Sequence, residues 1–185
     1  MRMRNTLMLM GAIMIGGLCA LAGCESTMRA EEASGQPDNF FLVQVSHLNA
    51  SEIEAGRLAV QRASNSEVRQ YGQMMIDEHT RANTELMELA ELRDVTLPNE
   101  PDQLHVQLTD HLAELSGPQF DREYISAMVG DHARALAMFE DKARFANDPE
   151  IRRWAQQQVP ILREHLRRAQ ELNRRLGGAD VLIVE

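Results

Sequence analysis

From residue 38 onward, apolar side chains recur at intervals of three and four. That spacing puts them on one face of an α-helix. Four long stripes follow. The first is Phe41, Val45, Leu48, Glu52, Ala55, Ala59, and the second Val68, Gly72, Met75, His79, Ala82, Leu86, Leu89. The third is Ile125, Met128, His132, Ala135, Phe139, and the fourth Ile151, Trp154, Gln158, Ile161, His165, Ala169, Leu172. Each is apolar except for a histidine, a glutamate or a glutamine. No alternating strand pattern appears before the tail.

Turn chemistry bounds the elements. The first helix is expected from about Asp38 to Ala63, with Asn49-Ala50-Ser51 as its weak point. Ser64-Asn65-Ser66-Glu67 has the serine-to-glutamate spacing of a capping box and starts the second helix, which runs to about Arg93. A shorter helix, about Asp102 to Leu115, sets Leu104, Leu108, Leu112 and Leu115 on one side. Gly117-Pro118 restarts the chain, and the third long helix reaches about Ala146. Asn147-Asp148-Pro149 is a cap followed by a first-turn proline. The last helix stops near Leu176, before Gly177-Gly178. The expected fold is all-α: a ferritin-like four-helix bundle of two helical hairpins, joined by a long crossover containing the short helix.

The polar exceptions lie at related heights. Glu52 and His79 are each about 13 residues from the first hairpin turn, roughly 20 Å along a helix. His132 and His165 are about 16 and 17 residues from the second turn, roughly 25 Å. With the turns at opposite ends, all four meet near mid-bundle. With the turns at one end, the two pairs differ by about one helical turn. In either case Glu52, His79, His132 and His165 form a candidate site for a divalent transition metal. Asp77, Glu78 and Asp131 adjoin the histidines. Neighbours on a helix point about 100° apart, so these acids are candidates for supporting the ligands rather than joining them. The competing reading is a hydrogen-bonded polar core that binds nothing.

Other features refine this. Bundle di-iron sites use Glu-x-x-His on two helices, whereas the positions three before His79 and His165 are Ile76 and Leu162. Met75 and Met128 precede two of the histidines by one turn and read as core filler. Pro160 should bend or loosen the last helix. His47, His105 and His111 read as surface residues. No phosphate loop, nucleophile elbow or Cys-x-x-Cys pair occurs, so no catalytic residue is assigned.

The first residues change the picture of location. MRMRN is basic and is followed by a short apolar run ending in Leu21-Ala22-Gly23-Cys24, the layout of an export signal. The last four residues resemble a bacterial lipobox, which implies cleavage before Cys24 and its acylation. The alternative is an ordinary signal with a cysteine after it. The expected organisation is a signal peptide at 1–23, lipidated Cys24 with a polar tether at 24–37, the bundle at 38–176 and an apolar tail at 177–185. The membrane is then a partner through the lipid, and acyl chains anchor a protein without spanning. Removing residues 1–23 takes away two arginines and no acid. That leaves 17 basic against 28 acidic side chains, a net charge of −11. This excess excludes nucleic acid as a partner, since phosphates need a basic face. Nothing in the sequence identifies a protein partner. With Cys19 lost, the remaining cysteine carries lipid and the fold must hold by packing.

Four segments carry a family resemblance: EIEAGRLAVQRASNSEVRQYGQMMIDEHTRANTEL, VTLP, GPQFDREYISAMVGDH and VPILREHLRRAQEL. From about Phe40 to Leu172 the chain resembles the bacterial "domain of unknown function 4142" family. FDREY, the histidine after Asp131 and the Pro-x-x-x-x-His of the last helix carry most of the likeness. The resemblance implies a ferritin-like fold and an exported or outer-membrane setting. It leaves the chemistry open. The expectation is therefore a cell-envelope lipoprotein facing the periplasm, with the outer membrane favoured over the inner. Its role is non-enzymatic or undefined, with a candidate mid-bundle metal. The alternatives are a ferritin-like redox metalloenzyme and a purely structural or stress-related envelope protein.

Overall fold

The computed structural model describes residues 37–178. Among these residues there are five helices and no strand: α1 Asp38–Arg62, α2 Ser66–Glu91, α3 Gln103–Glu114, α4 Gly117–Phe145 and α5 Pro149–Arg175. The fold is all-α and ferritin-like. No described helix is long and apolar enough to cross a membrane. The signal at 1–23, Cys24, most of the tether and the tail from residue 179 lie outside the described residues.

Local chemistry explains the helix ends and corrects three expectations. Asn65, not Ser64, is the cap of α2: its side chain accepts from Glu67 N, so the serine-to-glutamate box does not form. Ser64 instead donates its hydroxyl to Asp121. At the second turn Asp148 caps α5, accepting from Glu150 N and Ile151 N, with Pro149 in the first turn. α1 runs unbroken through Asn49-Ala50-Ser51. Asn49 and Ser51 are buried there, so tertiary contacts override their weak propensity. Leu104 is not on a buried stripe but is 68% exposed, because α3 packs through Leu112 and Thr109. α5 passes through Pro160, whose ring faces solvent.

Within the bundle each hairpin packs its own two helices together. α1 also packs on α4 and α2 on α5, and α3 lies over α1 and α4. Two carboxylates set this arrangement. Asp121, just past the first turn of α4, accepts from the backbone of Ser64 and Asn65 in the α1–α2 turn, each at 3.0 Å. Asp38, in the first turn of α1, accepts from Asp148 N in the α4–α5 turn at 2.8 Å and pairs with Lys142 at 3.2 Å. Each hairpin turn is thus clasped by an acid at the start of the other hairpin. The turns lie at opposite ends of the bundle, which settles the choice between the two height schemes.

The α1–α2 crossing is close because it is made of glycine. A Cβ on Gly72 would lie 2.6 Å from Ala59 Cβ, and one on Gly56 would lie 2.7 Å from the Gly72 carbonyl. Two turns beyond the crossing, Asn49 on α1 and His79 on α2 stand side by side, 2.9 Å apart, with Glu52 one turn nearer the crossing. The apolar core falls into two halves. One contains Val68, Tyr71, Met75, Tyr124, Ile125 and Met128. The other contains Phe41, Val45, Leu86, Phe139, Ile151 and Trp154, with the Phe41 and Phe139 rings 5.0 Å apart.

Arg93 forks onto both oxygens of Asp148 at 2.7 and 2.9 Å, and this pairing holds the carboxyl down at about 2. A depressed carboxyl stabilises the fold above the ordinary carboxylate range, and the contribution is lost as pH falls towards 2. Asp148→Ala should therefore cost about 1–2 kcal/mol in urea unfolding at neutral pH, the usual cost of a lost cap. The gap to wild type should narrow between about pH 4 and pH 2.

Candidate metal centre

Four helices each deliver one polar side chain to the level between the two apolar halves. α1 brings Glu52, α2 His79, α4 His132 and α5 His165, all almost fully buried. The three imidazole rings surround one point, with centroids 5.8 Å apart for His79–His132, 5.5 Å for His79–His165 and 5.2 Å for His132–His165. One nitrogen from each ring lies within 4.8 Å of the other two. A metal–nitrogen bond is about 2.0–2.1 Å, so a small contraction brings all three onto one ion.

The hydrogen bonds explain which nitrogen each ring offers. His79 Nδ1 lies 2.9 Å from Asn49 Oδ1, His132 Nδ1 lies 2.9 Å from the Met128 carbonyl, and His165 Nε2 lies 3.0 Å from Glu78 Oε2. An amide oxygen, a carbonyl and a carboxylate accept hydrogen bonds, so each of these ring nitrogens carries the proton and donates. The opposite nitrogens are then bare lone pairs. His79 Nε2, His132 Nε2 and His165 Nδ1 are all buried and have no hydrogen-bond partner. One nitrogen tied to an oxygen acceptor and the other free is the arrangement of metal-ligating histidine.

Burial keeps the rings neutral. It drives His79 well below the usual histidine range, helped by His132 and His165. It pushes His132 down to about 3, with His165 adding to the effect. Burial lowers His165 too, against the opposing pull of Glu78. Burial, then the nearby Asp131, raises Glu52 well above the carboxylate range. Burial likewise raises the buried phenols Tyr71 and Tyr124. Neutral imidazoles are ready to bind a cation without first losing a proton.

The candidate residues do not all play the expected parts. Glu52 packs beside His132, its Oε1 3.9 Å from Nδ1, but it does not join the three nitrogens within 4.8 Å. Glu78 supports His165 directly. Asp131 is buried near Glu52 and pairs with Arg134, its Oδ2 unpartnered. Asp77 is not at the site: it faces solvent and accepts from Gln73 one turn away. Sequence reasoning missed Asn49, which lies three residues before Glu52 on the same helix face; that spacing was its signal. It also missed Tyr71, whose hydroxyl donates to the His165 carbonyl at 3.3 Å, and Tyr124, whose buried hydroxyl has no hydrogen-bond partner.

The model of the family described as "Domain of unknown function (DUF4142)" matches residues 23–172. Among solved structures, a DUF305 protein from Streptomyces coelicolor, named as secreted, aligns with a TM-score of 0.65. The alignment covers 80% of this chain and 98% of that one at 13% sequence identity, a likeness of fold. No curated protein matches the sequence.

A histidine kept neutral by the fold but free to protonate when unfolded stabilises less as pH falls below about 6.5, down to its folded value of about 3. Glu52 has the opposite slope, so wild type alone does not isolate the effect. Replacing His132 with leucine removes one orphaned nitrogen. Without metal, His132→Leu should gain stability relative to wild type as pH falls from 6.5 to 4.5 in denaturant titrations. The limiting gain is about 1.4 kcal/mol per pH unit.

Proposed function

The chain belongs to the DUF4142 family, whose matched region contains all four polar seam residues, and on that premise we propose that it is an exported cell-envelope protein that binds one divalent transition-metal ion inside its bundle. His79, His132 and His165 are the ligands. Glu78, the Met128 carbonyl and Asn49 orient them. The observation that carries this reading is three buried histidines, each with one unpartnered ring nitrogen, whose possible ligand atoms lie within 4.8 Å of one another. Left without a partner, a buried polar atom costs about 1–3 kcal/mol, and three together are a large burden for a domain of this size. An ion removes all three costs at once. Imidazole nitrogen favours zinc, copper, nickel or iron over calcium or magnesium. A bridged di-iron centre uses a glutamate from each of four helices, whereas here α5 brings none to the site and the glutamates nearby, Glu52 and Glu78, come from α1 and α2.

Binding the ion only in the native state stabilises the protein by mass action. At a free-ion concentration 100 times the Kd the gain is about 2.7 kcal/mol, on the order of 10 °C in Tm. Zinc, copper(II) or nickel should give this shift in chelator-treated protein, and His79→Ala and His165→Ala should each abolish it. Equal melting of wild type with and without every such ion, together with metal-free protein isolated without an affinity tag, would refute the metal centre.

For location, the apolar run ending in Leu21-Ala22-Gly23-Cys24 supports export and lipid anchoring at Cys24; the preference for the outer membrane comes from the family resemblance alone. Cys24→Ser should move the protein from the membrane pellet to the soluble fraction and remove the acyl mass. An unchanged distribution and mass would reject the anchor.

A further inference from the structure

Three histidines do not complete a tetrahedral sphere. The fourth ligand is either a protein group or something from outside. Glu52 is the nearest protein candidate, but it stands on the wrong side of its neighbour. Its Oε1 approaches His132 Nδ1, the nitrogen tied to the Met128 carbonyl, whereas the bare nitrogen of that ring is Nε2. A cavity of about 30 Å³ lies instead against His79 and His165, walled by Ala82, Phe139, Trp154 and Leu162. It also reaches Glu78 and Glu85 on the α2–α5 side. The crossover helix α3 lies over the opposite side, on α1 and α4. The cavity walls are fixed. Trp154 Nε1 and Gln158 Nε2 both donate to Glu85 Oε2, at 2.8 and 2.9 Å, and Glu78 is held by His165.

A space of this size holds one or two water molecules, which needs about 10–15 Å³ each. We propose that the metal ion keeps one coordination position open towards this cavity. An exogenous ligand of no more than about three heavy atoms, water, hydroxide or a small linear anion, fills that position. The inference rests on the metal reading above and adds to it the class of ligand the ion takes. The small, largely apolar walls admit a molecule that binds end-on and exclude one with a ring or branch. Ala82 lines the cavity from α2 and Leu48 from α1, so a larger side chain at either position reduces the free volume.

The test uses the protein loaded with cobalt(II), whose visible absorption reports its ligands, titrated with azide and separately with imidazole. Wild type should show a saturable spectral change with azide and none with imidazole. Ala82→Leu and Leu48→Phe, which fill the cavity from two helices, should keep the cobalt spectrum and lose at least tenfold in azide affinity. Glu52→Gln should respond to azide as wild type does. The proposal is overturned by cobalt-loaded wild type that ignores azide, by a cobalt-binding cavity variant whose azide affinity is unchanged, or by an azide response that appears only in Glu52→Gln. Failure of wild type to bind cobalt would remove the metal centre and the ligand pocket together, whereas cobalt binding without an azide response would remove the pocket alone.

Discussion

The structure depends on a layer of polar side chains buried between two apolar halves of one bundle. Hydrophobic packing alone would favour filling that level with leucine. Instead His79, His132 and His165 cluster there, each with one ring nitrogen left without a partner, beside a glutamate whose pKa burial raises. Groups so placed must be satisfied, or the fold carries their desolvation cost without return. The layer therefore demands accuracy from everything around it. A slip of one residue on any helix turns that ring by about 100° and parts the cluster.

That accuracy has identifiable sources. Asp38 and Asp121 clasp opposite turns, so the two hairpins are pinned to each other at both ends. Glycines at 56 and 72 let α1 and α2 touch, which fixes the height of Glu52 and Asn49 against His79. Asn49, Glu78 and the Met128 carbonyl then hold each ring in one tautomer. Donors fixed in this way lose little freedom when an ion arrives, which is the condition for tight coordination.

The stripes made the helices legible, and the single histidine on each of three stripes made the cluster legible. Helical rise was enough to bring the four residues to similar heights. What stayed hidden depended on partners distant in sequence. Nothing local to Asp38 or Asp121 marks their role, because their partners lie 110 and 57 residues away. Ser64 looked like a cap because its spacing to Glu67 fits one, and the competing acceptor was invisible. Asn49 looked like a helix breaker because propensity is local, while its role is to orient a ring on another helix. Asp77 and Glu78 could not be ranked from adjacency alone. The turn of the helix sends one to solvent and the other to His165.

The described residues contain no cysteine, so beyond the crossover chain no disulfide ties the hairpins together. An ion held by His79 from the first hairpin and by His132 and His165 from the second would do so. It would close a loop of more than fifty residues across the crossover, and loop closure of that length costs several kcal/mol of chain entropy. In the folded bundle the clasps and the glycine crossing have already met that cost. An ion would then find its ligands assembled, and its binding energy would appear as stability of the whole domain rather than as the ordering of a site.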